Sequence, residues 1–514
     1  MRVLFVFPDM SSTVTNYTGV LSYGVGVLTA LLRRDGHHVE LLHLTHEFAR
    51  EEFHERVRAA NPDLVAISAI SHYAQRIPIW ARWAKSASSA RVVVGGIHAT
   101  YAPEEVVAEP AVDFVCIGEG EEAMVELCRA LEDGKDPSNI QNLWARDGDQ
   151  VIRNAPRAIW DDLDMLPDPD FSVFDFPNLY SVRQGTLNFL MSRGCAFRCT
   201  YCSAHTLMNV APRKGKFWRF LSPVHAVNQI ARLRERYLPD ANLVSFGDAI
   251  FFPNRKWLAE FAPLYREQIG LPISCNMRAD MVDEEVATTL AWMGVKVVRL
   301  GVESGNQHMT RDVLKRNLDV ADIRAAYAML RRAGIERWSY NIVGLPTETL
   351  PMALETVRLN AEIDPEIALC FLFYPYPGTE LHRLSKEKGF LTGREFDHYK
   401  EGVAIQQPQF AEDDVLFVQR MFTNLIRLYR LARRLPGGLG TAAQDLLDRI
   451  LASRLMPRRA TIRAYETYRK LRHRLGETLV ARSPGIYRAL GGRAPEWGRL
   501  SPVAREGLAR VDTP

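Results

Sequence analysis

Three thiols lie close together on one stretch, Cys195, Cys199 and Cys202, between Met191 and Ser203. Their Cys-x3-Cys-x2-Cys spacing lets a single loop wrap three corners of a cubic [4Fe-4S] cluster, for which thiolates are the usual ligands. Three thiolates leave one iron without a protein ligand, open to a small chelating molecule that could take an electron from it. Two plainer chemistries share part of the pattern. Cys195, Cys199, Cys202 and His205 fit a three-cysteine, one-histidine zinc knot, and Cys199-x-x-Cys202 alone fits a dithiol pair. Zinc knots usually draw their second ligand pair from a separate knuckle, whereas all four candidates here share one loop. The cluster is therefore the preferred reading, with His205 a bystander.

Elements must deliver this loop. Leu187 to Met191 reads as a strand that ends at it. Further β-branched runs follow at Leu243 to Phe246, Ile273 to Asn276, Val297 to Val302, Trp338 to Val343 and Ala368 to Tyr374, with helical periodicity between them. Six such units over about 186–400 predict a partial β/α barrel, with chemistry gathered in the loops beyond the strands' C-terminal ends. Upstream, over about 1–135, strands are expected at Val3 to Phe7, Val39 to His43, Leu64 to Ser68, Val92 to Val94 and Phe114 to Ile117. Amphipathic segments alternate with them, which predicts a doubly wound α/β domain whose ligand lies at the carboxyl ends of its strands. Two of its post-strand loops are glycine-rich, Gly95-Gly96-Ile97-His98 and Gly118-Glu119-Gly120-Glu121, and let a ligand approach the backbone closely. Residues 136–185, broken by proline and aspartate, read as a connector whose aromatics pack against one or both domains.

The cysteine loop, with Tyr201 before its last cysteine, resembles the radical S-adenosylmethionine (SAM) superfamily. Ser192-Arg-Gly-Cys195 and Cys202-Ser203 resemble its subgroup with an N-terminal cobalamin-binding domain, and the resemblance spans about residues 1–400. It implies three cofactors: a [4Fe-4S] cluster on the cysteines, SAM and cobalamin. Cleavage of SAM would give a 5′-deoxyadenosyl radical, and methylation of an unactivated carbon is the outcome implied first, with cyclisation, rearrangement or oxidation as the alternative. By resemblance, Gly95, Gly96, Gly118, Glu119 and Gly120 would contact cobalamin, and His98 would meet its nucleotide tail or cobalt, or else be a hydrogen-bonded structural histidine. Asp248 would hold the SAM ammonium, or else cap a helix. Arg278 would grip the SAM carboxylate, or else pair with Asp280. Glu303 and Ser304 match ribose and carboxylate contacts, and Leu345, in Gly344-Leu-Pro-Thr-Glu348, matches the adenine side. Tyr374 to Glu380 would face substrate, or else its aromatics belong to the core. The Asp-x-His-x-x-Gly motif that replaces cobalt's lower ligand in many cobalamin proteins is absent; Asp35-Gly-His37 comes nearest and reads as a turn.

Length and composition agree. A chain of 514 residues exceeds one core and suits two or three domains. The scattered Cys116, Cys128, Cys275 and Cys370 lie in apolar segments and read as core residues, not a disulfide framework. Met1 to Pro8 reads as a first strand rather than a signal peptide, and no run of 18 apolar residues occurs, so a cytoplasmic location is expected. Residues 401–514 turn helical and basic: 411–514 holds 20 Lys and Arg against 10 Asp and Glu. That surface reads first as a solvated helix face, with weak contact to a membrane surface as the alternative; no nucleic-acid motif is present. Expected partners are a small-molecule substrate (a natural product, lipid or tetrapyrrole intermediate) and an electron donor such as flavodoxin or ferredoxin. Replacing Cys195, Cys199 and Cys202 together by Ala is expected to abolish 5′-deoxyadenosine formation from SAM, as measured by chromatography of anaerobic reactions; persistence of that product would refute the assignment.

Overall fold

The computed structural model describes residues 1–10, 18–210, 217–394, 402–468 and 471. Its N-terminal sheet is built on runs such as Val3 to Phe7 and Val92 to Val94, which are buried on both faces, as strands covered by helices on two sides must be. The strands are β1 (Arg2–Pro8), β2 (His38–Leu44), β3 (Leu64–Ser68), β4 (Arg91–Gly95), β5 (Phe114–Cys116), β6 (Leu143–Asp147) and β7 (Gln150–Arg153), in the order β2-β1-β3-β4-β5-β6-β7. β1 to β5 run parallel. The order reverses between β1 and β3, which makes the carboxyl ends of the central strands the natural ligand crevice. β6 and β7 are antiparallel and come from the stretch read as connector. Gly148 and Asp149, inside the stretch read as connector, form the turn of this hairpin. Asp35-Gly36 is a turn between the helix Tyr23–Arg34 and β2, with Gly36 at φ 88°.

Alternation along the strands divides two cores. Leu4, Val6, Val65, Ile67, Val92 and Val94 pack beneath the helices of one face. Phe5, Ala66, Val93 and Cys116 point the other way, into a core that continues without a break into the second domain, through Leu187, Phe189 and Phe246. There β8 (Thr186–Phe189) leads to β9 (Ser192–Arg193), which pairs antiparallel with β10 (Arg219–Phe220). β8 then begins a six-stranded parallel sheet with β11 (Leu243–Phe246), β12 (Ile273–Met277), β13 (Val295–Glu303), β14 (Glu336–Val343) and β15 (Ile367–Leu372) in sequential order. β8 and β15 remain its two edges, so the barrel is incomplete. The long helix Glu412–Arg433 closes its flank, with Phe422, Leu425 and Tyr429 packed against Leu354 and Val357 of the helix Leu350–Ile363.

The remaining connector is an aromatic strap. Phe171 packs edge-on to Tyr23 of the first domain, with ring centroids 5.2 Å apart, and lies 5.7 Å from Tyr237 of the second. Beside it Asp170 accepts hydrogen bonds from Arg33 (2.7 Å) and the Tyr237 hydroxyl (2.9 Å). Burial works against that carboxylate, but the bonds from Ser172, Tyr237 and Arg33 bring it down to about 2. Phe171→Ala would leave a cavity where both domains and the strap meet and is expected to cost about 3–5 kcal/mol, measured by urea unfolding of the purified protein.

Candidate functional site

The cysteine loop leaves β8 at a tether. Asp248, just past β11, accepts from the Met191 N–H at 3.1 Å and from the Ser192 hydroxyl, so its carboxylate holds the root of the loop. The sequence offered it as a contact to the SAM ammonium or as a helix cap; in the fold its two oxygens bind the Met191 N–H and the Ser192 hydroxyl, between β8 and the start of β9. Burial pushes this carboxyl up to about 7.

Arg278 follows β12 and is buried. It pairs with Asp280 at 2.8 Å, lies 3.7 Å over the Phe197 ring and brings Nη1 to 3.9 Å from Cys199 Sγ. Both readings of Arg278 thus have a structural basis: the Asp280 pair forms, and the guanidinium also faces the cysteine loop. β13 ends in a bulge, where Glu303 takes φ 62°. Its carboxylate is buried beside Arg316 and the Tyr201 hydroxyl; burial raises it and Arg316 opposes the shift. A Cβ at Gly301 would collide with that carboxylate, so the glycine makes room for it. Arg316 also donates to the carbonyls of Val302 (2.9 Å) and Gly301 (2.8 Å), and Arg278 donates to the carbonyl of Arg316 at 2.8 Å. Tyr201, Glu303, Arg316 and Arg278 therefore form one buried polar group against Cys199.

Ser304 and Leu345 both have partners within the fold. Ser304 is fully buried, 3.5 Å from the Thr356 hydroxyl, and accepts from the Asn306 N–H; it builds the turn after β13. Leu345 packs its side chain among Met309, Leu314 and Phe373, and Glu348 accepts from its N–H and from that of Gly344. Burial raises Cys195 and pushes Cys202 up to about 11, so ligation of these thiols would expel protons. Among the described residues no three His, Cys, Asp or Glu side chains converge on a single ion. The His205 side chain of the alternative zinc set lies outside the described residues.

Across from the loop, the first domain presents its glycine turns. A cavity of about 460 Å³ opens between the domains, lined by Gly95, Gly96, Gly118, Glu119 and Gly120 on one side and by Arg193 and Gly194 on the other. It runs inward to Phe5, Val93, Cys116 and Met124 on the sheet face. Gly96 stands at φ 95°, and a Cβ there would sit 2.8 Å from the Ala69 carbonyl oxygen. His98 is not part of the lining: its imidazole is buried 3.4 Å from the Ser71 hydroxyl, on the packed side of the short helix Ile97–Tyr101, and Ile97 faces the cavity instead.

Four charges close the wall between the domains. Arg193 meets Glu121 at 2.5 Å and Glu119 at 3.4 Å, and Arg219 meets Glu119 at 2.5 Å. Burial alone would raise Glu119, but the two guanidiniums hold it below its ordinary value. The register places Arg219 opposite Arg193 on the β9–β10 ladder, two residues before Cys195. Arg219 carried no signal of its own in the sequence, and Arg193 only its place in the Ser-Arg-Gly-Cys run. Arg316 was missed as well. Two hydrogen bonds reinforce the junction: Tyr101 donates to the Ser203 carbonyl at 2.8 Å and Tyr23 to that of Asn188 at 2.9 Å.

Two of the residues that line this cavity carry a buried side-chain atom without a protein partner, Glu121 Oε2 and Arg219 Nε. One accepts and the other donates, and the quartet that carries them is neutral overall. A ligand with a rim of carboxamides and an apolar aromatic end fits such a wall, because amides offer donors and acceptors without charge. Cobalamin has that chemistry.

A doubly wound ligand domain docked on an incomplete β/α barrel, with a three-thiol loop at their junction, defines a cofactor-dependent α/β enzyme. Residues 16–128 match the B12 binding domain and residues 189–359 the Radical SAM superfamily. The chain thus joins a B12 binding domain to a Radical SAM domain, the arrangement of cobalamin-dependent radical SAM enzymes. An uncharacterized methyltransferase of Pyrococcus horikoshii is 27% identical over 389 residues, 74% of this chain and 82% of that relative. The anaerobic magnesium-protoporphyrin IX monomethyl ester cyclase of Cereibacter sphaeroides is 30% identical over 407 residues, 74% of this chain and 63% of that relative. Among solved structures, the radical S-adenosylmethionine methyltransferase TsrM of Kitasatospora setae shares the fold at a TM-score of 0.60 and 19% identity, over 76% of this chain and 77% of that one.

Asp248 supplies a pH test. Its pKa is raised on folding from 3.8 to about 7, so its contribution to the stability of the cofactor-free protein is complete below pH 3.8 and is lost as pH rises to about 7. Asp248→Asn is expected to remove that slope, measured by urea unfolding over a pH series.

Proposed function

We propose that this protein transfers a methyl group to an unactivated carbon of a small-molecule substrate. The observation that carries the reading is the cavity shared by the glycine turns of the first domain and the cysteine loop's own strand, because methyl transfer requires the two cofactor sites to face one substrate. Cys195, Cys199 and Cys202 would hold the [4Fe-4S] cluster. Arg278 and Glu303, beside the cysteine loop, would meet SAM, with Asp248 tethering the loop root. Gly95, Gly96, Gly118 and Gly120 would let cobalamin approach the backbone, while Glu121 and Arg219 meet its amides. When bound, these groups supply hydrogen abstraction from carbon and a transferable methyl group. The protein's part is to bind, orient and exclude water: the Arg193–Glu121 and Arg219–Glu119 pairs and the Tyr101–Ser203 hydrogen bond hold the two loops in one relation and seal their junction. Arg316 keeps Glu303 in its bulge through the two carbonyls it binds.

The methyltransferase name of the Pyrococcus relative supports this reading. The 30% identity to a cyclase supports a second one, in which cobalamin is bound and no methyl moves. The substrate would be a natural-product, lipid or tetrapyrrole intermediate, and a cytoplasmic flavodoxin or ferredoxin would supply the electron.

Product analysis under anaerobic conditions separates the two. Methylation is expected to yield S-adenosylhomocysteine and 5′-deoxyadenosine in equal amounts, whereas 5′-deoxyadenosine alone would favour the cyclase-type reaction.

A further inference from the structure

The C-terminal helices carry an outward face that the fold does not use. The helix Glu412–Arg433 buries Phe422, Leu425 and Tyr429 against the barrel. On its opposite side Arg427, Leu428 and Leu431 recur at the spacing of a single helix face, and Arg434 and Leu435 follow, exposed, in the turn beyond its end. After the elbow at Pro436-Gly-Gly438, the helix Leu439–Ala452 repeats the pattern with Leu439, Leu446, Arg449 and Ile450. These are large apolar side chains in the open: Leu431 is 59% and Leu439 63% exposed. A solvated helix face accounts for the arginines but not for six such residues around one elbow.

Charge decides what could cover them. Every acid between 411 and 468 is already paired: Glu412 with Arg394, Asp413 with Arg459, Asp414 with Arg458, Asp445 and Asp448 with Arg358, and Glu466 with Arg420. Among the described residues none of Arg427, Arg434 and Arg449 has an acidic partner. A second copy of the protein would bring like charge against like charge across this face. Residues 472–514 are no better a complement, with eight arginines against four acids. Nucleic acid would satisfy the arginines and leave the leucines in water. An anionic lipid surface satisfies both, with the leucines in the acyl boundary and the arginines reaching up to the phosphates. No described helix is long and apolar enough to cross a membrane, so the contact would be peripheral.

We infer that the elbow between these two helices, from Arg427 to Ile450, docks the protein on an anionic lipid bilayer. The test is flotation of the full-length protein with vesicles of phosphatidylcholine alone, or mixed with phosphatidylglycerol. Flotation is expected with the anionic vesicles only, and to be reversed by about 0.5 M salt, which shortens the screening length. R427Q/R434Q/R449Q is expected to weaken partitioning about 100-fold, at roughly fivefold per arginine. L431S/L439S/L446S keeps the net charge and is expected to lose at least about tenfold. Thermal melts matching the parent protein would show that both variants fold. Failure to float, equal flotation with neutral vesicles, undiminished binding of both variants, or a dimer that the leucine variant dissociates would each overturn the proposal. So would RNA competing the protein off the vesicles if the arginine variant lost RNA affinity while the leucine variant kept both RNA and lipid affinity.

Discussion

The structure depends on a neutral quartet of buried charge, Arg193 and Arg219 against Glu119 and Glu121. The arginines share the β9–β10 ladder and the carboxylates share the turn after β5. Arg219 and Glu121 are almost wholly enclosed, while Arg193 and Glu119 keep about a quarter and a fifth of their side chains exposed. Their mutual attraction roughly offsets that desolvation, so the quartet adds little net stability, but loss of one member would strand another at a cost of about 3–5 kcal/mol. What it secures is relative position. The strand carrying Arg193 reaches Cys195 two residues later, and the carboxylates flank a glycine turn that lines the cavity. The geometry of one cofactor's loop is thereby written into the other's.

The same economy governs the barrel side. Glu303 occupies a left-handed backbone conformation that only a well-determined surrounding can hold, and Arg316 supplies it by binding the two carbonyls just before the bulge. Arg278 is fixed in turn by the Arg316 carbonyl, by Asp280 and by the Phe197 ring. Two guanidiniums are thus brought beside the cysteine loop without either being free to swing. Asp248 performs the equivalent service at the loop's root. Preorganisation of this kind suits chemistry whose reactive species must meet only their intended partner.

Much of this was legible in the sequence. The eleven parallel strands announced themselves as short β-branched, apolar runs between helical stretches, near-continuously buried in β1, β3 and β4 and alternating in most of the others, and the cysteine spacing is local chemistry that needs no fold to be read. The β6–β7 hairpin was not, because Leu143 to Arg153 forms a half-exposed edge whose weak pattern resembles a loop. His98 and Ser304 were expected at ligands because each sits in a glycine-rich turn, but such a turn offers its polar groups in two directions. Here Ser71 and Thr356 claim them from the packed side.

By itself, then, the sequence determined two α/β domains, the thiol loop, the glycine turns at the strand ends and the family these define. All rest on periodicity and short spacing, which are properties of neighbours along the polypeptide. Which side chains face the cavity, and that Arg219, Arg316 and Tyr101 belong to the site at all, was decided only in three dimensions. Arg219 and Glu119 are one hundred positions apart, and nothing local marks either for the other. Their pairing exists because two separately formed sheets share one continuous core, and burial then requires each charge to find its opposite.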